Sequence, residues 1–519
     1  MRRLCWTSAM IAGTSVLLAA PAARASSAIE FPDNGVAQFS RGGAWLATAT
    51  DPIAGYYNPA ALGRQPTQLG LGANFVFQKI CFKRLSAGGQ PTGPGGGLTD
   101  TYPEVCNANS GKPNVIPNLA FTWRATKKLG IGLSVLPPSS FGTLDWSGTA
   151  AVPRQAGGRT IETPVPASQR YLSMGVDGTI LLPTLAAGYN ITDQLSVGAG
   201  FVAGIAMLQL KSMSASNVTP QDSFTGDALS TLDVKDLFVP GFVVSGLYSP
   251  TSNIDVAAWY RWSDSIRAKG DLTVEFPYYN ASTGKVSTRA TTTHSADQKG
   301  KDAAKVTTAV PMEARIGARW HMPRKGVTPL EKERFREDAY PTRDPLRDDL
   351  YDVELDLTWA NNSAQDKFQI RFPPGIQVSS GVVPFGEVPQ NSDRPTGYRD
   401  TFGARLGGQY NLLVNRMGIR LGSWIESSAN DAKYLTVTGV PSLRGGFGGG
   451  LVFRIAMVDL EAGYQHLWSA GFDNGGNGAI KAIVANGPNG FGNRSSYAVN
   501  GGSVTQHANI ASIGAVARF

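Results

Sequence analysis

The sequence contains no run approaching the roughly 18 apolar residues that a spanning helix needs. Charge is also scarce, with Asp, Glu, Lys and Arg making up 17% of 519 residues. Only four histidines occur (His294, His321, His466 and His507), and neither an H-E-x-x-H nor a G-x-S-x-G pattern accompanies them. The first absence excludes a membrane protein built of helices. The second argues against an ordinary water-soluble surface, and a formal charge of only +8 is too small and scattered for nucleic acid. The third leaves an enzyme without its usual machinery, and nothing calls for a cofactor or a metal. What is present is glycine, 61 residues of it, with 9% aromatics. Low charge, high glycine and moderate hydropathy suit transmembrane strands, which are apolar only at every second residue.

The N-terminus bears on the compartment. Arg2 and Arg3 precede an apolar core from Met10 to Ala20, and Ala23-Arg24-Ala25 is an A-x-A cleavage site. Residues 1–25 are therefore expected to be a signal peptide, whose removal lowers the formal charge from +8 to +5. Of three cysteines, Cys5 leaves with it; Cys81 and Cys106 remain, in a compartment where disulfides persist. A bridge between them would close a loop of about 25 residues and add ~3 kcal/mol by chain entropy. Two free thiols are the alternative, and two cysteines alone are too few for a metal site.

From about Thr67 the dominant period is two. Tyr351, Val353, Leu355, Leu357 and Trp359 share one face, while Asp352, Glu354, Asp356 and Thr358 share the other. Eight rises of about 3.3 Å at a tilt of about 40° span roughly 20 Å, with an aromatic at each end, as in an outer-membrane strand. The same alternation recurs in Leu195–Met207, Met312–Trp320, Phe402–Tyr410 and Val458–Tyr464. Strands are expected near residues 68–80, 114–124, 129–136, 181–191, 194–210, 237–249, 253–276, 305–321, 350–372, 399–413, 416–428, 442–456, 457–472 and 507–519. That makes an all-β, antiparallel up-and-down barrel of about 14 strands, occupying residues 67–519. Connections alternate between short turns and long loops rich in Gly, Ser, Asn and Pro, the outer-membrane pattern. One exception, 323–349, is long where a short turn is expected and holds seven basic and seven acidic residues. A solvated insertion, partly helical around 330–338, is the expectation there, with a periplasmic docking site as the alternative. The chain ends on Phe519, as final strands read by barrel-assembly machinery do.

Residues 26–66 have small residues, glycines and an Asn-Pro turn, but no period long enough for a domain. Both barrel ends fall on the periplasmic side, so this segment can enter the lumen from below as a plug. Its residues Asp33–Ala44, Asp51-Pro52 and Tyr57-Asn58-Pro59-Ala60-Ala61-Leu62 resemble the start of the FadL/TodX family of outer-membrane transporters for hydrophobic compounds. The likeness continues in Ala187-Gly188-Tyr189, Leu195–Phe201, Tyr260-Arg261-Trp262-Ser263, Lys269-Gly270-Asp271 and Val353–Trp359. It implies a 14-stranded barrel plugged by an N-terminal hatch bearing the motif Asn58, Pro59, Ala60. Fatty acids or aromatic hydrocarbons would be caught between outer loops and released sideways into the membrane, where a greasy molecule gains most.

Several residues fit that scheme. Pro59 stiffens the turn that carries Asn58. Pro137 and Pro138 cannot donate to a ladder, so they could open a lateral gap or simply begin a loop. Phe141, Trp146, Phe224 and Phe276, with Leu232, Phe238, Tyr278 and Tyr279, lie in or beside outer loops and could contact substrate. Inward Arg315 and Arg319, with Arg405 and Arg420, could hold a carboxylate, or pair with Glu313, Asp352, Glu354, Asp356, Asp459 and Glu461. The expected state is a monomer surrounded by outer-membrane lipid. A general porin, an outer-membrane lipid-modifying enzyme and a purely structural barrel are the competing functions.

Overall fold

The computed structural model describes residues 34–86, 102–137, 142–156, 158–215, 227–280, 285–294, 303–324, 343–374, 377–379, 384–387, 390–484 and 493–519. Outside them lie the expected signal peptide, residues 26–33, Pro138, Phe141, Phe224 and most of the charged connection, including 330–338.

Alternation draws out the wall strands. In chain order they are β1 (Gln68–Arg84), β2 (Asn114–Arg124), β3 (Leu129–Leu136), β4 (Gly175–Asn190), β5 (Leu195–Ser214) and β6 (Ala228–Tyr248). Then come β7 (Ile254–Ser263 continuing as Ile266–Asn280), β8 (Ala304–Thr308 continuing as Glu313–Pro323) and β9 (Asp349–Ala360 continuing as Lys367–Arg371). Last are β10 (Thr401–Leu413), β11 (Met417–Glu426), β12 (Arg444–Ile455), β13 (Val458–Ser469) and β14 (Gly502–Arg518). Each pairs antiparallel with the next, and β14 returns to β1 with Arg518 opposite Gln68 and Gly502 opposite Arg84. The fourteen-strand barrel is thus closed and has no free edge. No helix among the described residues is long and apolar enough to cross a membrane.

On β9 the two faces separate as the alternation requires. Val353, Leu355 and Leu357 are about half exposed, whereas Asp352, Glu354 and Asp356 are buried inside. Phe242 stacks on Trp262 at 5.6 Å near the upper edge of the outward apolar band, where amphipathic rings favour a membrane interface.

Above that edge the wall differs from the expectation. Several strands run further than a membrane-spanning strand needs: β4 starts at Gly175 rather than 181, β6 at Ala228 rather than 237, and β14 at Gly502 rather than 507. The expected unbroken strands over 253–276, 305–321 and 350–372 are each interrupted, at 264–265, 309–312 and 361–366. On β6 a bulge between Asp236 and Val239 reverses which residues point inward. Below it Phe242 and Val244 face out; above it Leu232 and Val234 face in, while Asp233 and Lys235 face out. The physical reason is a change of surroundings. Within lipid the outer face must be apolar, and above it the outer face meets water while the inside becomes the apolar side.

Candidate functional site

Residues 34–66 occupy the barrel interior. From Asn34 to Gln65 every residue is buried. The segment has two short helices, α1 (Val36–Ser40) and α2 (Ala54–Tyr57), and a 3₁₀ turn over Pro59–Arg64. Proline suits the first position of that turn because its missing N–H would lack an intrahelical partner there anyway.

The inward acids of β9 bind this segment. Asp356 accepts hydrogen bonds from the backbone N–H groups of Trp45 and Leu46 at 3.0 and 3.1 Å. Glu354 accepts from the N–H of Ala47 and Thr48 at 2.6 and 3.1 Å, and from the Thr48 hydroxyl. Asp352 pairs with the Arg41 guanidinium at 2.5 Å, all of it out of water. Charge-assisted bonds of this kind are the strong ones.

The Asn58–Arg64 stretch lies against β3, β4, β5 and β6, seated on glycine. A Cβ on Gly188 would lie 2.1 Å from the Pro59 carbonyl oxygen, and one on Gly198 would lie 2.3 Å from the Ala60 nitrogen. Only a residue without a side chain permits that approach. The Ala60 N–H donates to the Ser245 hydroxyl at 2.8 Å, Asn190 Nδ2 to the Gly63 carbonyl, and Arg64 to Ser196, Ser249 and the Gln194 carbonyl. Asn58 does not face the wall. Its Nδ2 donates to the Leu46 carbonyl at 2.7 Å, tying the two ends of the segment together, while its Oδ1 has no partner among the described residues.

Part of the charged connection comes back under the barrel. The Arg343 N–H donates to the Arg64 carbonyl, and its guanidinium reaches Asp255, Ser249 and, at 3.5 Å, the Ala47 carbonyl. Arg343 therefore touches both ends of the inner segment from the periplasmic side.

Above the segment is a cavity of about 270 Å³. Its walls are mostly aliphatic, with Leu208, Leu210, Leu232, Ile266, Leu272 and Val306 among them, and no aspartate or glutamate among the described residues lines it. Arg394 does line it, donating, among the described residues, to the Leu172 carbonyl at 3.1 Å and the Ser212 hydroxyl at 2.7 Å. Burial first, and then the neighbouring Arg494 guanidinium, push Arg394 down to about 10. The group is still charged at neutral pH. The adjacent Asp393 is engaged elsewhere, by Arg371 and Lys367.

The wall has a weak place beside this cavity. β3 ends at Leu136, opposite Leu182 of β4, and Pro137 follows. Pairing between β2 and β3 begins only at Leu119 opposite Val135, so Asn114–Asn118 of β2 have no β3 partner among the described residues. The same holds for 177–181 of β4, until Leu144 and Asp145 pair with Val176 and Gly175. Asn34 at the start of the described segment donates through Nδ2 to the Pro137 carbonyl at 2.5 Å. Its N–H donates to the Tyr57 hydroxyl at 3.1 Å. One end of the inner segment is thus fastened to the rim of the interruption.

Of the other residues singled out from the sequence, Trp146 and Phe276 are buried in the apolar clusters that border the cavity, without lining it themselves. Leu232 lines it, and Phe238 is exposed on the outer face. Tyr278 and Tyr279 fall on the outer part of β7, in register with Ser287 and Val286. Arg315 and Arg319 are not at the cavity. Arg315 pairs with Glu313 at 2.7 Å, its guanidinium 5.2 and 5.5 Å from the ring centres of Trp259 and Tyr57. Arg319 is held by Asp255, Asp349 and Asp352. Both sit at the level of the inner segment, paired with buried carboxylates. Arg420 pairs with Glu461 at 2.7 Å, and Arg405 lies 3.5 Å from Glu426. Cys81 and Cys106 are joined by a disulfide between β1 and the short strand Val105–Cys106. Sequence reasoning missed Arg394, in the two-residue strand Arg394–Pro395, and Arg343, in the charged connection, since neither stretch carries a period, and it missed that Asp352, Glu354 and Asp356 serve the inner segment.

A closed outer-membrane barrel with a filled lumen and an apolar chamber above it defines a plugged channel suited to compounds that avoid water. The family model described as outer membrane protein transport protein (OMPP1/FadL/TodX) matches residues 16–326, and the chain belongs to that family. It is a transporter of hydrophobic compounds in the outer membrane, not an enzyme. A crystal structure of a Pseudomonas aeruginosa FadL homologue superposes over 95% of this chain and 100% of its own, at 14% identity and a TM-score of 0.63. The Ralstonia pickettii toluene transporter TbuX covers 94% and 98% at 16% identity and a TM-score of 0.52. The Pseudomonas putida toluene transporter TodX covers 95% and 99% at 13% identity and a TM-score of 0.53. These likenesses speak to the fold. No curated protein sequence matches the chain.

Proposed function

We propose that the protein takes up amphiphiles with an acidic head and a long apolar tail, of which long-chain fatty acids are the simplest. The observation that carries this is Arg394, a guanidinium facing an apolar cavity with no carboxylate partner among the described residues. Burying a cation costs free energy unless something neutralises it, and a ligand carboxylate supplies both charge and hydrogen-bond acceptors. The aliphatic walls take the tail.

From the cavity the ligand leaves sideways, through the interruption beside Pro137 and Pro138, into the membrane. Residues 26–66 act as a hatch that bars the straight route to the periplasm, and release of Asn34 from Pro137 clears the sideways one. The protein works as a monomer, and the strand ending at the exposed Phe519 is the part that barrel-assembly machinery reads.

Ligand binding to the purified barrel tests the substrate class. Arg394→Gln should weaken binding of a long-chain fatty acid by ~10-fold or more, the worth of a charge-assisted pair, and leave toluene binding unchanged. Because Arg394 is charged up to about 10 and a carboxylic acid ionises near ~4.5, acid binding should be level between about pH 6 and 9 and fall on both sides. A second reading, a carrier of neutral aromatic hydrocarbons, draws on the aliphatic lining and on the toluene transporters of like fold. It predicts pH-independent binding that ignores Arg394→Gln.

A further inference from the structure

The break in β9 is a built corner. Asn362–Ala364 form one 3₁₀ turn, and the Gln365 N–H closes it on the Asn362 carbonyl at 3.0 Å. The Gln365 carbonyl accepts from the Thr396 hydroxyl, and the Thr396 N–H donates to the Asp366 carbonyl at 2.9 Å. The Gln365 backbone is therefore fixed on both sides, and its side chain lines the cavity. Gln365 is only 1% exposed, yet neither Nε2 nor Oε1 has a partner among the described residues. No other buried amide among them is left with both ends unmet.

Register places this amide close to Arg394. Phe368 of β9 stands opposite Arg394 on one side. On the other side Thr307 pairs with Gln369, which brings Thr308 level with Phe368. Thr308 is the last residue of β8 before its own break, and its hydroxyl is buried, without a partner among the described residues, on the cavity wall. Thr396, which holds Gln365, is two residues from Arg394 toward the inner segment. The Gln365 backbone thus lies roughly 7 Å along the strand from Arg394, a span that two long side chains can close around adjacent groups of one ligand head.

The chemistry of the amide narrows what it takes. A primary amide has two donors and an acceptor. A second carboxylate would meet the donors but set its charge against Oε1. A saturated chain meets neither, and a buried donor and acceptor left unmet cost free energy. A hydroxyl accepts from Nε2 and donates to Oε1 or to the Thr308 hydroxyl, so it answers both ends.

We propose that Gln365, with Thr308, is a subsite for a hydroxyl borne on the acyl chain near its acidic head, so that hydroxylated fatty acids are chosen over plain ones. The inference rests on Arg394 holding the carboxylate, and it adds which acids are preferred. The breaks in β8 and β9 gain a role from it, since each brings a polar side chain to an otherwise aliphatic wall.

Binding of three acids of one chain length to the purified barrel tests this: hexadecanoic acid, β-hydroxyhexadecanoic acid and ω-hydroxyhexadecanoic acid, whose hydroxyl is at the tail end. The wild type should bind the β-hydroxy acid about five- to ten-fold more tightly than the plain acid, the worth of a well-made hydrogen bond to a buried group, and the ω-hydroxy acid no more tightly than the plain one. Gln365→Leu, in a barrel that keeps its heat-modifiable gel mobility, should bring the β-hydroxy and plain acids to within about two-fold of each other. Arg394→Gln should weaken both and preserve their ratio. If Arg394→Gln binds both acids as the wild type does while the preference stands, the carboxylate reading fails and the hydroxyl subsite does not. Equal wild-type affinity for the plain and β-hydroxy acids would overturn the proposal, and this arm needs no variant to fold. So would a preference that survives Gln365→Leu, or one that the ω-hydroxy acid shares.

Discussion

The two ends of the inner segment are held in different ways. Arg41–Thr48 is clamped by three buried carboxylates in a row on β9, which accept from four backbone N–H groups, a hydroxyl and a guanidinium. Pro59–Arg64 is seated on Gly188 and Gly198, much as Arg41 is on Gly407 and Gly422, but takes neutral acceptors for most of its bonds. Arg41–Thr48 lies against β9, away from the interrupted wall, whereas Pro59–Arg64, like Asn34, lies beside β3 and β4, where the wall is interrupted.

Removing the clamp should have the largest effect. Glu354→Ala with Asp356→Ala strips the acceptors from four N–H groups, and such a loss of buried charged partners costs ~3–5 kcal/mol. The segment should then leave the lumen in a large fraction of molecules, detected as protease cleavage between Ala44 and Ala54 in a barrel that still migrates as folded. Next comes Gly188→Val, whose side chain would collide with the Pro59 carbonyl. Overpacking of this kind costs ~1–3 kcal/mol, so fatty-acid uptake should change several-fold while residues 41–48 keep their amide exchange protection. Protection lost equally at both ends would erase the distinction between them. The smallest effect belongs to the tie between the ends. Asn58→Ala with Pro59→Ala removes the bond to Leu46, worth ~1 kcal/mol, along with an Oδ1 that has no partner. Uptake should fall modestly with barrel mobility unchanged; unchanged uptake would remove the motif from the gating scheme.

The wall was legible in the sequence because lipid imposes one rule on each strand. Tyr351–Trp359 alternates over its whole length, and β9 follows it. Legibility ended at the outer interface. Leu232 and Val234 keep a period of two, but with the apolar side turned inward by the bulge at Asp236, so a search for lipid-facing strands stops short of them. The breaks at 264–265, 309–312 and 361–366 carry no single punctuating residue type. In the site, Asn58-Pro59-Ala60 was visible as a motif, yet its partner Leu46 was not, since a hydrogen bond to a backbone carbonyl leaves no mark on residue identity. The acids of β9 were visible as an inward row; that they would meet backbone N–H groups rather than arginines alone depended on where residues 45–48 settle. Arg394 stood in a stretch without period, and its significance rests on the absence of a carboxylate among the described residues that line the cavity.

The central claim, that the barrel is closed straight through by residues 34–66, is tested most directly by ion conductance in planar bilayers. The wild type should pass almost no steady current, and the Glu354→Ala/Asp356→Ala variant should show porin-like openings. A large steady conductance in the wild type, unchanged by the double substitution, would contradict the account.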